Sequence, residues 1–290
     1  MYPAPFDYVA PTSIEEALAA LAERGEEGRV LAGGQSLIPM MKLRLAMPAA
    51  LIDINKVAGL DGITEDDGHL RIGALVRNNG VVASDLVSRT NHTVAAAAPW
   101  ISDPVVRNRG TVCGSIAHCD PEGDWNSVML ALNAEVVARS SRGERTIPIA
   151  DFVVDFFTNS LQPGEMVTEV RVPTQTGRAG GTYIKLERKV GDYATAAVAT
   201  HLRLDDAGRI SEAGIAMTSV APVNRKATEA EQMLVGETPS DALFAEAAEA
   251  AAKASDPETN VRGPAEYKRD LVRVFTRRGL AKALEIAQQA

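Results

Sequence analysis

In the first 175 residues, stretches whose apolar positions recur with a helical period alternate with short continuous apolar runs. Ser13 followed by Glu16 is typical of a capping box, and the apolar positions after it predict a helix that ends near Arg24. Short strands are predicted at residues 29–32, 51–54, 135–138 and 166–172, a hairpin at 62–73, and helices at 37–45, 94–100 and 125–132. This part of the chain is therefore expected to be mixed α/β.

Residues 102–123 are rich in Gly, Asn and Pro, and this composition predicts a loop. The stretch 173–181 has the Thr, Gly and Arg content of a linker. We therefore expect two domains, at residues 1–176 and 177–290.

The second half of the chain has a different pattern, with three β-rich runs at residues 182–188, 194–204 and 210–219. The turn Asp205-Asp206-Ala207-Gly208 joins the last two runs and is typical of a hairpin. Helices are predicted at 225–234, 241–254 and 264–289. The fold class is therefore α+β, with a three-stranded antiparallel sheet covered by helices on one face in the C-terminal domain.

Composition and charge exclude several classes of function. Hydrophobic residues make up 46% and charged residues 23%, as in globular proteins with a buried core. The net charge of -8 disfavours nucleic acid and anionic membranes as partners. No apolar run approaches the roughly 20 residues of a transmembrane segment, and the first ten residues have no export signal, so a cytoplasmic location is expected.

Only two cysteines are present, Cys113 and Cys119, and free thiols are the simplest interpretation. Common iron–sulfur clusters need about four thiolates, so any such cluster must lie on another subunit. A metal site formed by these cysteines with His118 and Asp120 is disfavoured, because their spacing matches no familiar zinc pattern.

Two glycine-rich segments are candidates for binding a nucleotide, Ala32-Gly33-Gly34-Gln35-Ser36-Leu37 and Gly110-Thr111-Val112-Cys113-Gly114-Ser115. Glycine lets a phosphate approach backbone N–H groups closely. Each segment alone is a weak signal, because most Gly-Gly turns are only turns. The chain contains neither a P-loop nor the G-x-G-x-x-G of a Rossmann fold, so a cofactor site would combine two separated loops.

With their flanks, these segments resemble the FAD-binding medium subunit of aerobic carbon monoxide dehydrogenase and its relatives in the xanthine oxidase family. The resemblance is carried by residues 6–8, 31–39, 110–114, 120–121, 189–196 and 262–267. It implies an FAD-binding domain of two α/β subdomains, of the PCMH and vanillyl-alcohol-oxidase type. It also implies a C-terminal domain that completes the flavin pocket, with the FAD held non-covalently across the cleft.

The same resemblance implies a set of cofactor-binding residues. Within it, Asp124 binds a cofactor hydroxyl, the Leu161 backbone meets the flavin ring, Lys185 lies near the flavin, and Tyr193 covers the isoalloxazine. The full set is Arg29, Val30, Leu31, Ala32, Gly33, Gly34, Gln35, Ser36, Leu37, Ile101, Gly110, Thr111, Cys113, Gly114, Ser115, Ala117, Asp124, Leu161, Lys185 and Tyr193. No catalytic or metal-binding residue is expected on this chain.

Local sequence offers other interpretations of three of these residues. Asp124 is placed to cap the helix that begins at Trp125, Tyr193 in a β-rich run fits core packing, and Lys185 fits a solvated strand position. Near the flavin, Lys185 would instead stabilise the anionic reduced ring and raise its potential.

The sequence departs from the carbon monoxide dehydrogenase pattern at Gln35, where that pattern has His, and at Cys113, where it has Gly. Because Cys113 has a Cβ, we expect a negative φ there, with its backbone N–H serving the cofactor.

The resemblance implies an electron-transfer chain. A molybdenum centre on a large subunit oxidises substrate, iron–sulfur clusters on a small subunit pass electrons singly, and the FAD of this chain passes them to an external acceptor. The implied assembly is a dimer of heterotrimers. Two alternatives stay open, a stand-alone FAD oxidase or reductase and a scaffold subunit that has lost its cofactor. The substrate of the complex and its final acceptor do not follow from the sequence.

Overall fold

The computed structural model describes residues 2–289, and it begins with a small parallel α/β unit. Its three strands lie in the order β1-β3-β2 with both pairs parallel. The Ser13 side chain accepts a hydrogen bond from the Glu16 N–H at the start of the first helix, as the capping box predicts. The elements are β1 (Asp7–Val9), α1 (Ile14–Arg24), β2 (Gly28–Leu31), α2 (Leu37–Lys42) and β3 (Ala50–Asp53).

A second unit contains a five-stranded antiparallel sheet in the order β4-β5-β10-β6-β7 and a separate two-stranded hairpin. Its strands are β4 (Ile63–Asp66), β5 (His69–Gly73), β6 (Glu135–Ser140), β7 (Gly143–Pro148), β8 (Val153–Asp155), β9 (Thr158–Asn159) and β10 (Met166–Pro173). Its helices are α3 (Asn78–Val82), α4 (Asp85–Thr90), α5 (His92–Ala97), α6 (Pro104–Arg107), α7 (Val112–His118), α8 (Asp124–Ala131) and α9 (Ile149–Phe152).

The last unit is a four-stranded antiparallel sheet in the order β11-β12-β13-β14, followed by three helices. The three predicted strands are present, and a two-residue fourth strand lies beside them. The strands are β11 (Ala179–Glu187), β12 (Ala194–Leu204), β13 (Ile210–Thr218) and β14 (Arg225–Lys226), and the helices are α10 (Thr228–Leu234), α11 (Asp241–Ala254) and α12 (Ala265–Gln289).

The C-terminal sheet is covered on both faces, because helices of the preceding unit pack against the face opposite α12. A Cβ at Gly180 would lie 2.1 Å from the Ala283 carbonyl oxygen on α12, and one at Gly214 would lie 1.9 Å from the Ala131 carbonyl oxygen on α8. Alternate side chains of β12 therefore enter two separate cores. This explains why residues 194–204 form a nearly continuous apolar run rather than an alternating one.

The predicted α+β fold class is confirmed, but three local predictions are wrong, the first being that helices cover only one face of the C-terminal sheet. Residues 102–123 are not a single loop, because α6 and α7 lie within them. Each short helix begins at a capping side chain, since Asp103 accepts from the Val106 N–H and Thr111 accepts from the Gly114 N–H. The helix predicted at 225–234 begins only at Thr228, because the first two residues extend the sheet. Among residues 2–289, no helix has the length and apolar character that crossing a membrane requires.

Candidate functional site

The first glycine segment forms a turn between β2 and α2 that leaves a run of backbone donors unused. Gly34 has a φ of 72°, a conformation that glycine adopts without strain. From Gly33 to Leu37, no backbone N–H donates to another group of the described chain. Consecutive free N–H groups in such a turn can bind an anion, which is the role that the sequence analysis predicts for this segment.

The second glycine segment opens α7. The Thr111 hydroxyl accepts from the Gly114 N–H at 3.1 Å, while the N–H groups of Thr111 and Cys113 have no acceptor in the described chain. Cys113 is not among the residues with positive φ, so the predicted sign of its φ is confirmed, while the role of its N–H toward a cofactor stays a prediction. Its thiol donates to the Ile72 carbonyl at 3.4 Å and is buried, which leaves the backbone as the part available to a ligand.

The two glycine segments contact each other through their backbones. A Cβ at Gly33 would lie 2.4 Å from the Arg109 carbonyl oxygen and 2.7 Å from the Gly110 Cα. Backbone atoms cannot yield as the end of a flexible side chain can, so only glycine fits at this point. Segments that are 77 positions apart in sequence, from Gly33 to Gly110, thus form one continuous surface.

Two polar side chains hold the glycine segments in place through hydrogen bonds. The sequence analysis did not identify either of them. Asn55 donates to the Ala32 carbonyl at 2.9 Å, and Arg77 donates to the Asn55 side-chain oxygen at 2.5 Å and to the Arg109 carbonyl at 2.7 Å. Burial lowers the pKa of Arg77, and the nearby Arg109 lowers it further. The only sequence signal was the position of Asn55 just after a buried strand.

A cavity of about 660 Å³ lies beside Asn55 and Arg77. Asn55, Arg77, Asn79 and Asn108 contribute to its lining, but none of the predicted cofactor residues does. The cavity is therefore separate from the surface formed by the two glycine segments.

Asp124 and Lys185 form a buried ion pair between α8 and β11. The Asp124 carboxylate accepts from the Lys185 Nζ at 3.0 Å and from the Tyr183 hydroxyl at 2.6 Å, and the Lys185 Nζ also donates to the Trp100 carbonyl. The two charged side chains are only 8% and 1% exposed. The solvated interpretation of Lys185 is therefore wrong, because its ammonium group is buried against Asp124 and the Trp100 carbonyl rather than in water. Asp124 does not cap its helix either, since Gly123 is the N-cap residue.

Burial raises the pKa of Asp124, against the lowering influence first of the Lys185 ammonium and then of the Tyr183 hydroxyl. Glu187 lies 3.5 Å from the same ammonium, and one of its carboxylate oxygens is buried without a hydrogen-bond partner in the described chain. Two carboxylates thus surround one cation. The pair is suited to orienting groups at the boundary between the units rather than to adding net positive charge.

Tyr193 lies in the loop just before β12 and is 46% exposed. The Arg262 guanidinium lies 5.6 Å from its ring centroid, within the range of a cation–π contact. Partial burial and the nearby Asp120 carboxylate raise the pKa of the phenol. The core-packing interpretation of Tyr193 is therefore wrong, because nearly half of the side chain is exposed.

Three further predicted residues lie around these groups. Ile101 is buried, and its carbonyl accepts from Arg107 at 3.2 Å. The side chain of Asn159 donates to the Ala117 carbonyl at 2.7 Å and accepts from the Leu161 N–H at 3.0 Å. Because the Leu161 N–H is already used, its carbonyl is the backbone group left for a ligand.

Four further predicted residues lie in β2 or in the turn that follows it. Arg29 lies at the start of β2, away from the glycine turn, and its guanidinium donates to the carbonyls of Glu26 and Gly28. The hydroxyl of Ser36 makes no capping hydrogen bond, so it stays free beside the unused N–H groups. Val30 and Leu31 pair with β3 and carry the chain into the turn.

The chain matches two family profiles in succession. The FAD binding domain in molybdopterin dehydrogenase matches residues 4–175, and the CO dehydrogenase flavoprotein C-terminal domain matches residues 181–283. Together they cover most of the chain.

Whole-chain comparisons agree with these matches. The chain is 40% identical to the 6-hydroxypseudooxynicotine dehydrogenase complex subunit alpha of Paenarthrobacter nicotinovorans, over 99% of this chain and 97% of that protein. It is 38% identical to the carbon monoxide dehydrogenase medium chain of Hydrogenophaga pseudoflava, over 98% of each chain.

A solved structure of carbon monoxide dehydrogenase from Hydrogenophaga pseudoflava, which lacks the Mo-pyranopterin moiety of the molybdenum cofactor, contains a chain that matches with a TM-score of 0.95. The two chains are 40% identical, and the match covers 99% of each. The chain therefore belongs to the family of FAD-binding medium subunits of carbon monoxide dehydrogenase-like molybdenum hydroxylases, which are oxidoreductases.

Proposed function

We propose that this chain holds one FAD non-covalently between its two glycine segments and transfers electrons within a heterotrimeric molybdenum hydroxylase. Electrons enter from iron–sulfur clusters on a small subunit and leave to an external acceptor, while a large subunit holds the molybdenum centre. The observation that supports this most strongly is the run of free N–H groups from Gly33 to Leu37, in backbone contact with the second glycine segment.

The residues present fit a dinucleotide. The free N–H groups of both segments neutralise a diphosphate without a cationic side chain, as in other backbone anion sites. FAD supplies both one-electron and two-electron redox chemistry when bound. Tyr193, with its aromatic ring, and the Asp124–Lys185 pair, with its fixed polar groups, would hold the flavin of that dinucleotide.

The pair also connects the two proposed domains, 1–176 and 177–290. Asp124 belongs to the first and Lys185 to the second, so a cofactor that rests on both is held only when the domains are packed together. A site that spans such a boundary depends on the burial of this ion pair.

The partner subunits are inferred from the family and from the thiol count. Relatives are described as a medium chain or as one subunit of a complex. The two cysteines here are both buried and free, fewer than a cluster requires. We propose one small iron–sulfur subunit and one large molybdenum subunit per chain, with two such heterotrimers in the assembly.

The test is to purify the chain with its native partners and to quantify flavin, iron and molybdenum. We expect FAD that is released by acid, in equal amount to this chain, with iron and molybdenum at constant ratios to it. Absence of FAD, or flavin that stays covalently attached, would contradict the proposal. Turnover of an organic substrate by the isolated chain would instead favour the stand-alone oxidase or reductase.

A further inference from the structure

The loop that joins β11 and β12 carries Tyr193 and is exposed over most of its length. We call residues 188–193 the Tyr193 loop. Val190 near its centre is 86% exposed. The middle of the loop packs closely on another segment, since a Cβ at Gly191 would lie 3.0 Å from the Asp103 backbone nitrogen. The Tyr193 end of the loop is held by a different set of contacts.

Arg262 makes those contacts from a distant part of the chain. Its Nη1 donates to the Glu122 carboxylate at 2.8 Å, and its Nη2 lies 3.5 Å from the Asp192 Oδ1. The guanidinium carbon lies 5.6 Å from the centroid of the Tyr193 ring. The Arg262 side chain is only 13% exposed, so solvent ions screen these contacts less than they screen a surface pair.

Asp192 connects Arg262 to the backbone of Tyr193. The Asp192 Oδ1, which faces Arg262, accepts from the Tyr193 N–H at 2.8 Å, and the Oδ2 accepts from the Arg188 guanidinium at 3.2 Å. Desolvation raises the pKa of Asp192, but its donors and the two guanidiniums outweigh this and lower the pKa below its ordinary value. The guanidinium of Arg262 therefore acts on the Tyr193 ring directly and on the Tyr193 backbone through a charged carboxylate.

A tight turn presents Arg262 to this loop. The Arg262 N–H donates to the Asn260 side chain at 2.9 Å, and Asn260 and Gly263 exchange backbone hydrogen bonds of 3.1 and 3.0 Å. The other carboxylate partner, Glu122, lies two positions before Asp124. The guanidinium thus joins the Tyr193 loop to the segment that carries the buried ion pair.

We propose that Arg262 is a positioning residue that holds Tyr193 where its ring covers the flavin. The inference rests on the proposed function, in which Tyr193 helps to hold the flavin. A cation over an aromatic ring fixes the plane of the ring and uses one of its faces, so a stacked flavin would lie on the other. Arginine suits this role, because its planar fork reaches two carboxylates while its flat surface stays over the ring.

The first test is limited trypsin digestion of the full chain without FAD, because Arg188 and Lys189 are exposed cleavage sites in the Tyr193 loop. We expect Arg262→Met to speed cleavage at these sites about tenfold, since the loop must be released before it is cut. Arg273→Met is the matched control, because this arginine of α12 pairs with Glu249 and Asp270 instead. Circular dichroism should show the same fold for both variants.

The second test measures flavin fluorescence per bound FAD in the assembled complex, because an aromatic ring stacked on a flavin quenches its emission. We expect Arg262→Met to raise the emission about twofold or more, towards that of Tyr193→Leu. If Arg262 acts through Tyr193, the double variant adds nothing to the effect of Tyr193→Leu alone.

Arg262→Lys isolates the contribution of the guanidinium shape. The lysine keeps the charge but lacks the fork that reaches Glu122 and Asp192 together, so an effect between those of the wild type and Arg262→Met is expected in both tests. Should one of the two Arg262 variants not fold, the other decides.

Two outcomes overturn the inference. One is that no folded Arg262 variant exceeds Arg273→Met in cleavage or in emission, and the other is that Arg262→Met still raises the emission when Tyr193 is already Leu. Failure of the proposed function is distinguishable, because it appears as absence of FAD from the wild-type complex. The digestion of the FAD-free chain would still show whether Arg262 holds the loop.

Discussion

Replacement of Lys185 by Met removes the cation that two buried carboxylates share. The Lys185 side chain is 1% exposed, and Asp124 at 3.0 Å and Glu187 at 3.5 Å both lose their neighbouring cation. Methionine has a similar length, so the change removes charge and hydrogen bonds while little volume is lost.

The expected cost follows from burial. Removal of one partner of a buried ion pair costs about 3–5 kcal/mol, because the other charge stays in a region that water does not reach. The free energy of unfolding of an ordinary domain is about 5–15 kcal/mol, so this loss is a large fraction of the total. The double variant Asp124→Asn with Lys185→Met should recover only part of it, because the amide is uncharged and can still accept a hydrogen bond from Tyr183, whereas Glu187 still lacks its cation.

The effect has a predicted pH dependence. Burial already raises the pKa of Asp124, and Lys185 is the largest influence that lowers it, so the variant raises this pKa further. A carboxyl whose folded pKa lies above its ordinary value of 3.8 stabilises the fold below that value. This contribution to the free energy of unfolding is lost as the pH rises from 3.8 through the folded pKa. Between these two pKa values the loss is about 1.4 kcal/mol per pH unit. The variant is therefore expected to lose stability as the pH rises from about 3.8 to the folded pKa of Asp124, and to be least stable above that pKa.

The assay is urea denaturation of the full chain at several pH values, followed by circular dichroism and by fluorescence of the buried Trp125. Lys253→Met, an exposed position on α11, is the matched control and should change the free energy of unfolding by less than about 0.5 kcal/mol. A loss below about 1 kcal/mol in the Lys185 variant, with no pH dependence, would refute the reasoning, because it would mean that water screens the pair.

Further predictions concern the glycine segments and the thiols. Gly33→Ala should weaken FAD binding by about tenfold or more in the assembled complex, because its Cβ meets backbone at 2.4 Å, whereas Gly80→Ala meets nothing within 4 Å and should bind as wild type. Equal affinity of the two variants, measured by flavin retained after dialysis, would contradict the contact between the segments. Asn55→Ala should lower FAD retention without unfolding the chain, since the Ala32 carbonyl and Arg77 lose a partner; unchanged retention would remove Asn55 from the site. Burial raises the pKa values of Cys113 and Cys119 to about 12, so a thiol reagent at about pH 8 should label neither in the folded chain and both after denaturation; rapid labelling of the folded chain would show that they are accessible.

Sequence patterns predicted the long elements well, because each is long enough for its period to be unambiguous. The helix at 241–254 matches α11, and the turn at Asp205–Gly208 joins β12 and β13 as expected. The two short helices within residues 102–123 were missed, because four to seven residues are too few for a helical period to show. Their capping residues, Asp103 and Thr111, were the available signal.

The candidate site was predictable only in part, because its formation depends on contacts between distant residues. Glycine composition indicates that a backbone can approach a phosphate, but the contact of Gly33 with Arg109 follows only from the fold. Similarly, a lysine in a strand pattern predicts exposure unless groups of another unit cover it, as Asp124 and the Trp100 carbonyl cover Lys185. Asn55 and Arg77 carry no motif and are identified only by their hydrogen bonds.

The central claim is that one FAD lies with its diphosphate between the two glycine segments. The most direct measurement is a cryo-EM or crystallographic map of the assembled complex at a resolution that locates the diphosphate. We predict diphosphate density within hydrogen-bond distance of the N–H groups from Gly33 to Leu37 and of those of Thr111 and Cys113. Diphosphate density elsewhere, for example in the cavity beside Asn55 and Arg77, with both glycine segments uncontacted, would contradict the account.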